Sequence, residues 1–256
     1  MLNKIYNENC LQTLGRMEDN TLDLTVTSPP YNVDLGNNKY NQSPYDLYND
    51  NKDHKEYMGW LKEIFDTIYT KTKVGGRCVI NVGDGKNGSV PTHSDIIQMM
   101  VSRGWVPMTT IIWHKQNIGA RTAWGSFCSP SSPSFPTPFE YIMAFAKNTK
   151  KLQYKGETDI TKEEFISWSL ALWEFSGERC KKVGHPAAYP ITLPLRCMKL
   201  FSWKDAVVYD PFMGSGSTAI ACKMTGRNFI GSEISAEYVA LANKRLEMPF
   251  SDIMSK

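Results

Sequence analysis

One segment constrains the fold more than any other: Val207-Val208-Tyr209-Asp210-Pro211-Phe212-Met213-Gly214-Ser215-Gly216-Ser217-Thr218-Ala219. It reads as a short apolar strand, a tight glycine turn and the first turn of a helix. In that arrangement backbone N–H groups and a helix N-terminus can approach a ligand. The next strand, predicted over 228–231, runs into Gly231-Ser232-Glu233, placing a carboxylate where nucleotide-binding βαβ units clamp a ribose. No Lys precedes Ser217-Thr218, which excludes a phosphate-gripping P-loop. Such a unit normally opens a domain. Here residues 211–256 leave room for only one βαβ unit, so earlier residues have to supply the rest of the sheet.

The remaining chain supplies it. Leu22, Leu24 and Val26 alternate with Asp23 and Thr25 and predict a strand ending at Thr27. Residues 32–54 carry no periodicity and read as a long loop. Tyr57, Trp60, Leu61, Ile64, Phe65, Ile68 and Tyr69 keep helical spacing over 55–72. Gly75-Gly76 is expected to end that helix, with a strand over 77–82. A helix follows over 92–103, with Thr92 and Asp95 as its capping pair and Gly104 at its end. Strands are expected over 106–113 and 140–146, with the Ser/Pro/Thr-rich Gly119–Pro138 between them, a loop long enough to be functional. Thr161 and Glu164 form a capping box for a helix carrying Phe165, Trp168, Leu172 and Trp173. A short helix near Pro194, strand 206–209, helix 215–225, strand 228–231 and helix 235–247 complete the order. This alternation predicts an α/β fold: a permuted Rossmann-like, mostly parallel sheet with helices on both faces. It is one domain over 1–256, because residues from both ends share the sheet.

Composition excludes other classes. With 41% hydrophobic and 21% charged residues the chain is globular rather than disordered. No apolar run approaches the ~20 residues of a spanning helix, and the N-terminus lacks the apolar core of a signal peptide. The reading is a cytoplasmic protein with no membrane partner. Six cysteines fall in no CxxC pair and the four histidines lie near none of them at ligand spacing, so neither a metal site nor a disulfide framework is expected. The net charge of +3 says little, but its distribution says more. Residues 1–60 carry 5 Lys/Arg against 9 Asp/Glu, whereas residues 101–155 carry 7 against Glu140 alone. A surface polarised in this way can meet a polyanion.

Thr27-Ser28-Pro29-Pro30-Tyr31 leaves the predicted first strand. Two prolines lack N–H groups and hold Ser28 and Pro29 extended, so the local carbonyls face no competing donors. The Ser28 hydroxyl adds an acceptor and Tyr31 a flat ring. The turn suits a planar ligand with an exocyclic –NH₂, its hydrogens going to Ser28 and the Pro29 carbonyl.

The two segments together resemble the β class of S-adenosylmethionine-dependent DNA amino-methyltransferases. In that family an S/D/N-PP-Y motif precedes the cofactor motif, which accounts for the permutation. The resemblance covers nearly the whole chain. Ile5–Asn9 matches the segment that contacts the cofactor adenine. Trp113-His114-Lys115 and Glu140–Phe145 match strands flanking a variable recognition region, here about 114–139. His185–Pro190 matches the segment before the cofactor motif. The family often has Gly-Asp where this chain has Glu8-Asn9, so the adenine contact would fall to Asn9, whose amide both donates and accepts.

The resemblance implies S-adenosyl-L-methionine as cofactor, held by Asn9, Asp210, Phe212, Gly214, Ser215, Gly216, Ser217, Thr218 and Glu233. It implies a catalytic Ser28, Pro29, Pro30 and Tyr31. Acceptors at Ser28 and the Pro29 carbonyl would favour a tetrahedral amine and stabilise its developing charge, in line with the methyl donor. Tyr31 would receive a base flipped from double-stranded DNA. Asn81 is a candidate to orient Ser28, or simply caps a turn. Ser before Pro-Pro-Tyr resembles the N4-cytosine members, whereas Asp is typical of many N6-adenine members. No Pro-Cys dipeptide occurs, which disfavours a carbon-5 cytosine enzyme. Arg121, Thr122, Trp124 and Ser126 are candidate base readers, with Lys115, Lys147, Lys150, Lys151 and Lys155 as further DNA contacts. Related enzymes are often homodimers beside a cognate restriction endonuclease, in a prokaryotic or phage-like, nucleoid-associated setting. A nicotinamide dehydrogenase, a non-catalytic DNA-binding module and an amino-methyltransferase of RNA or protein are the competing readings.

Overall fold

The computed structural model describes residues 1–33, 45, 47–85, 88–116, 125–135, 137–178, 183–185 and 187–249. Along the chain run β1 (Lys4–Asn7), α1 (Cys10–Gly15), β2 (Leu22–Thr27), α2 (His54–Lys71), β3 (Thr72–Val82), α3 (Thr92–Arg103), β4 (Trp105–His114) and β5 (Phe139–Lys147). They are followed by α4 (Lys162–Trp168), β6 (Leu172–Glu174), α5 (Thr192–Phe201), β7 (Val207–Asp210), α6 (Ser217–Met224), β8 (Asn228–Glu233) and α7 (Ala236–Glu247). Among the described residues, eight strands form one sheet in the order β1-β8-β7-β2-β3-β5-β4-β6. All neighbours pair in parallel except β5, which runs antiparallel to both β3 and β4. The sheet is therefore α/β and mostly parallel, as the sequence predicts. Among the described residues no helix is long and apolar enough to cross a membrane.

Two apolar clusters cover the two faces. Cys78, Ile80 and Val82 of β3 pack with Tyr57, Leu61, Ile64, Phe65 and Ile68 of α2, while Val79 packs on the other side with Leu193, Cys197 and Met198 of α5 and Ala219–Cys222 of α6. That is the period of two of a strand buried on both faces. In β2 even the polar residues are buried. Asp23 accepts from Tyr154 Oη at 2.8 Å, Lys73 Nζ at 2.7 Å and the Val207 N–H at 2.8 Å. The alternation that marks this strand in the sequence is thus not a solvent face.

From β2 the chain moves through α2 to β3 on one side; from β7 it moves through α6 to β8 on the other. The order reverses between β2 and β7, which are neighbours. A crevice opens at such a reversal, at the carboxyl ends of the strands. Both Ser28-Pro29-Pro30-Tyr31 and the glycine turn leave the sheet there.

Four local expectations need correction. Helix α2 stops at Lys71, where Thr72 turns extended and its hydroxyl takes the Ile68 carbonyl at 2.7 Å. Gly75-Gly76 lies inside β3, and a Cβ at Gly75 would collide with the Lys151 carbonyl. Helix α3 starts without a side-chain cap: Thr92 Oγ1 donates to the Val90 carbonyl, and Asp95 instead holds His54 Nε2 at 2.7 Å. The Thr161/Glu164 capping box forms, but its helix ends at Trp168. Leu172 and Trp173 belong to β6, an edge strand on β4.

Candidate functional site

Strand β2 delivers Ser28 to the crevice, and four side chains lock the turn that follows. Tyr31 Oη lies 2.9 Å from Ser28 Oγ and donates to Glu140 Oε2 at 2.8 Å. Asn81 Nδ2, from the end of β3, donates to Tyr31 Oη and to Glu140 Oε2, each at 2.7 Å, and lies 3.4 Å from Ser28 Oγ. Lys115 Nζ donates to Glu140 Oε1. Tyr57 of α2 takes the Pro30 carbonyl at 2.7 Å, while no backbone hydrogen bond among the described residues takes that of Pro29. Burial, reinforced by the Glu140 charge, pushes the Tyr31 phenol well above its usual range, so it stays protonated. The turn thus holds a half-buried hydroxyl, at Ser28, beside a protonated phenol, with Pro29 buried between them. Asn81 touches Ser28 mainly through Tyr31.

The glycine turn is anchored from beneath by Asp210, which is fully buried. Its Oδ1 accepts from Thr27 Oγ1 at 2.7 Å and the Phe212 N–H at 3.1 Å; its Oδ2 accepts from Thr218 Oγ1 at 2.6 Å and Tyr189 Oη at 2.9 Å. Burial nevertheless pushes this carboxyl above the usual range. Asp210 therefore ties β2, the turn, α6 and the segment before α5 together, with every lone pair in use; it shapes the glycine turn from below.

Above it the backbone packs too closely on its neighbours to carry side chains. Gly214 (φ +51°) and Gly216 (φ +84°) are left-handed, and a Cβ at Gly214 would stand 2.9 Å from His185 Nε2. Glu233, at the end of β8, accepts from the Gly214 N–H at 2.9 Å and the Ser235 N–H at 3.0 Å. An ionised carboxylate is acceptor-only, with several lone-pair sites, and so suits ribose hydroxyls. Phe212 lies against Trp60 of α2 (centroids 5.4 Å apart), giving the loop an apolar wall. Ser215, Ser217 and Thr218 are buried along the turn. An acid at a strand end, an aromatic wall and a left-handed glycine cradle fit an adenosyl cofactor with an amino-acid tail. Asn9 stands at the other side of β8, where its Oδ1 caps α1 on the Leu11 N–H at 2.9 Å.

The expected DNA contacts divide. Arg121, Thr122 and Trp124 lie outside the described residues. Ser126 sits in a turn, its hydroxyl on the Ser129 carbonyl at 2.7 Å. Lys115 turns inward to Glu140. Lys147 is corrected outright: it is 8% exposed, with its ammonium on Asn20 Oδ1 (3.1 Å) and the Thr72 carbonyl (2.7 Å). Lys150, Lys151 and Lys155 are exposed, yet they follow the far end of β5. That strand starts at the site with Glu140 and runs antiparallel to β3, so Lys147 ends roughly 24 Å away at ~3.4 Å per residue. Of the lysines counted as one basic stretch, Lys115 therefore lies at the site, whereas Lys147 and the lysines that follow it lie at the opposite end of the sheet from Ser28.

Sequence reasoning missed Glu140, Tyr189, Thr27 and Tyr57 as site residues. Glu140 meets Lys115 only through the pairing of β4 with β5, which sets Trp113 opposite Glu140.

Residues 22–244 match a family described as DNA methylase, the N6/N4 group. The Type II methyltransferase M.MjaVI of Methanocaldococcus jannaschii is 42% identical over 169 residues, covering 65% of this chain and 83% of that one. The Type II methyltransferase M.BglII of Bacillus subtilis is 29% identical over 255 residues, 94% and 68% of the two chains. Among solved structures, TTHA0409 of Thermus thermophilus, described as a DNA modification methylase and complexed with S-adenosyl-L-methionine, superposes with a TM-score of 0.73. It is 25% identical, over 95% of this chain and 92% of that one. The cytosine-N4-specific PvuII DNA methyltransferase shares the fold, with a TM-score of 0.67 and 20% identity over 98% and 90% of the chains.

Proposed function

The chain belongs to the N6/N4 DNA methylase family of S-adenosylmethionine-dependent DNA methyltransferases, and from that premise we propose that it methylates the N4 amino group of a cytosine flipped out of duplex DNA. The observation that carries this reading is the Ser28 hydroxyl at the end of β2, held on Tyr31 where the strand order reverses; the Pro29 carbonyl is the second acceptor in this account.

The exocyclic amine of cytosine is a poor nucleophile because its lone pair is delocalised into the ring. Two acceptors aimed at its hydrogens favour a tetrahedral nitrogen and stabilise the positive charge that develops there. S-adenosylmethionine, held by Glu233, Phe212, Asn9 and the Gly214–Thr218 turn, supplies an electrophilic methyl when bound. Ser28, Pro29 and Tyr31 hold the flipped base in line with it, and the methylated nitrogen then releases one proton. Asp210 keeps the cofactor loop in register with the turn through Thr27. Ser rather than Asp before Pro-Pro-Tyr supports cytosine over adenine. The 114–139 segment, with Arg121, Thr122, Trp124 and Ser126, reads the DNA sequence in this account. The Type II names of the relatives support a place in a restriction–modification system.

The test is transfer of labelled methyl from S-adenosylmethionine to duplex DNA from an unmethylated host, followed by digestion to nucleosides. Label in N4-methylcytosine supports the reading. Label in N6-methyladenine overturns the choice of base but keeps the amine chemistry, and label in neither overturns both.

A further inference from the structure

We propose that Glu140 is a positioning residue that sets the direction of the hydrogen bonds at Ser28, so that this hydroxyl meets the target amine only as an acceptor. The inference rests on Ser28 being the amine acceptor, and it holds for cytosine and adenine alike.

A count of hydrogens carries it. The Glu140 carboxylate receives Lys115 Nζ on Oε1 and Asn81 Nδ2 on Oε2; placed between an ammonium and an amide, it has nothing to donate. Tyr31 Oη lies 2.8 Å from Oε2, and two oxygens at that distance need a hydrogen between them. Only Tyr31 can supply it. Asn81 Nδ2 has two hydrogens, and its two short bonds, to Tyr31 Oη and Glu140 Oε2, use both. The remaining contact, 2.9 Å between Ser28 Oγ and Tyr31 Oη, also needs a hydrogen. Tyr31 has already given its own to Glu140, so Ser28 must donate to Tyr31. The Ser28 hydrogen is thereby turned away from the target, and its lone pairs remain for an incoming N–H.

Asn81 shows how firmly this direction is imposed. Its Oδ1 is buried without a partner, although a flip of the amide would bring Oδ1 into the cluster. That flip would set Oδ1 against the Glu140 carboxylate, and the chain keeps an orphaned acceptor instead. A freely turning Ser28 could point its hydrogen at the amine lone pair and oppose the transfer.

The Glu140→Gln variant tests the polarity at almost unchanged shape. Its amide oxygen must face the Lys115 ammonium, so its NH₂ faces Tyr31 and Asn81; Tyr31 loses the acceptor of its hydrogen, and Ser28 is no longer held as the donor of their shared bond. At saturating DNA and S-adenosylmethionine, kcat should fall about 100-fold, the scale of one misaligned polar contact to developing charge. The KM for DNA and the calorimetric Kd for S-adenosylmethionine should stay within about two-fold. The double variant Lys115→Gln/Glu140→Gln lets the amide at position 140 turn back, its NH₂ on the glutamine oxygen at position 115 and its own oxygen on Tyr31. It should regain about ten-fold or more in kcat over the single variant. Wild-type kcat in Glu140→Gln, a loss confined to cofactor or DNA affinity, or no recovery in the double variant would each overturn the proposal. If Glu140→Gln does not fold, Tyr31→Phe removes the acceptor of the Ser28 hydrogen and should lower kcat in the same way; wild-type turnover there overturns it. Failure of the underlying reading shows in the wild-type enzyme as no methylated amine, whereas failure of this inference shows only in the variants.

Discussion

Replacing Asp210 by Asn perturbs the point where β2 and the glycine turn are tied together. The carboxylate receives four donors, at 2.6–3.1 Å, and is fully buried. The amide oxygen can keep Thr27 and the Phe212 N–H. Its NH₂ then faces Thr218 and Tyr189, whose hydroxyls lose the carboxylate as acceptor and keep only their contact with each other. Two bonds to a charged group, worth roughly 1.5–3 kcal/mol each, disappear, and two neutral bonds of about 1 kcal/mol each form if both hydroxyls turn round. Burial disfavours the charge in the wild type and holds the carboxyl above its usual range, so its loss returns part of the difference. The net cost is about 1–3 kcal/mol, a fall in Tm of about 2–12 °C for a domain of this size. Asp210→Ala, which leaves four donors facing a cavity, should cost about 3–5 kcal/mol. Urea and thermal unfolding measure these terms, and calorimetry with S-adenosylmethionine measures the loop. Affinity should drop at least about ten-fold in Asp210→Asn because Phe212 and Thr218 lose their common anchor. An Asn variant as stable as the wild type, with unchanged cofactor affinity, would refute the keystone role of Asp210.

Other perturbations have equally definite outcomes. Gly216→Ala must place a side chain at φ +84° with its Cβ 2.9 Å from Ala242 Cβ, costing about 1–2 kcal/mol from the backbone alone and more from the collision; the urea midpoint reads it. Lys150→Ala/Lys151→Ala should leave both DNA affinity and its salt dependence unchanged, because these residues lie beyond the far end of β5; a fall in the salt slope by about one per lysine would return them to the DNA face. Burial raises the Asp159 carboxyl, but the Arg227 guanidinium, bonded to both its oxygens at 2.8 and 2.9 Å, more than offsets this and leaves it below its ordinary value of 3.8. A lowered folded-state pKa stabilises above that value and is lost as pH falls through the folded one, so Arg227→Met should flatten the acid limb of the stability profile; an unchanged limb would show that the pair contributes nothing to it. Asp210, raised instead, works in the opposite sense, its contribution falling as pH rises above 3.8.

The glycine turn, Glu233 and Ser28-Pro29-Pro30-Tyr31 were legible in the sequence because each is a local backbone device whose meaning travels with a few adjacent residues. The permutation followed from position alone. Glu140 was not legible as a site residue, since its role depends on an antiparallel pairing that brings Lys115, Asn81 and Tyr31 to it from three other segments. The same strand direction misled the reading of charge: one run of sequence from 140 to 155 spans the whole sheet, so neighbouring lysines do not share a face with the site. Leu172 and Trp173 continue a helical spacing, but Trp173 is buried in the sheet's core and its indole takes the Trp168 carbonyl at 2.9 Å. Tertiary pairing beside β4 outweighs the local pattern there.

The central claim is that Ser28, held as an acceptor at the end of β2, directs methyl transfer to a cytosine amine. Its most direct test is nucleoside mass spectrometry of plasmid DNA from cells expressing either the wild-type chain or the Ser28→Ala variant. The account predicts N4-methylcytosine with the wild type and its near-complete loss with a folded Ser28→Ala protein. N4-methylcytosine at equal levels in both would contradict it, as would a plasmid carrying no methylated amine from a folded wild-type protein.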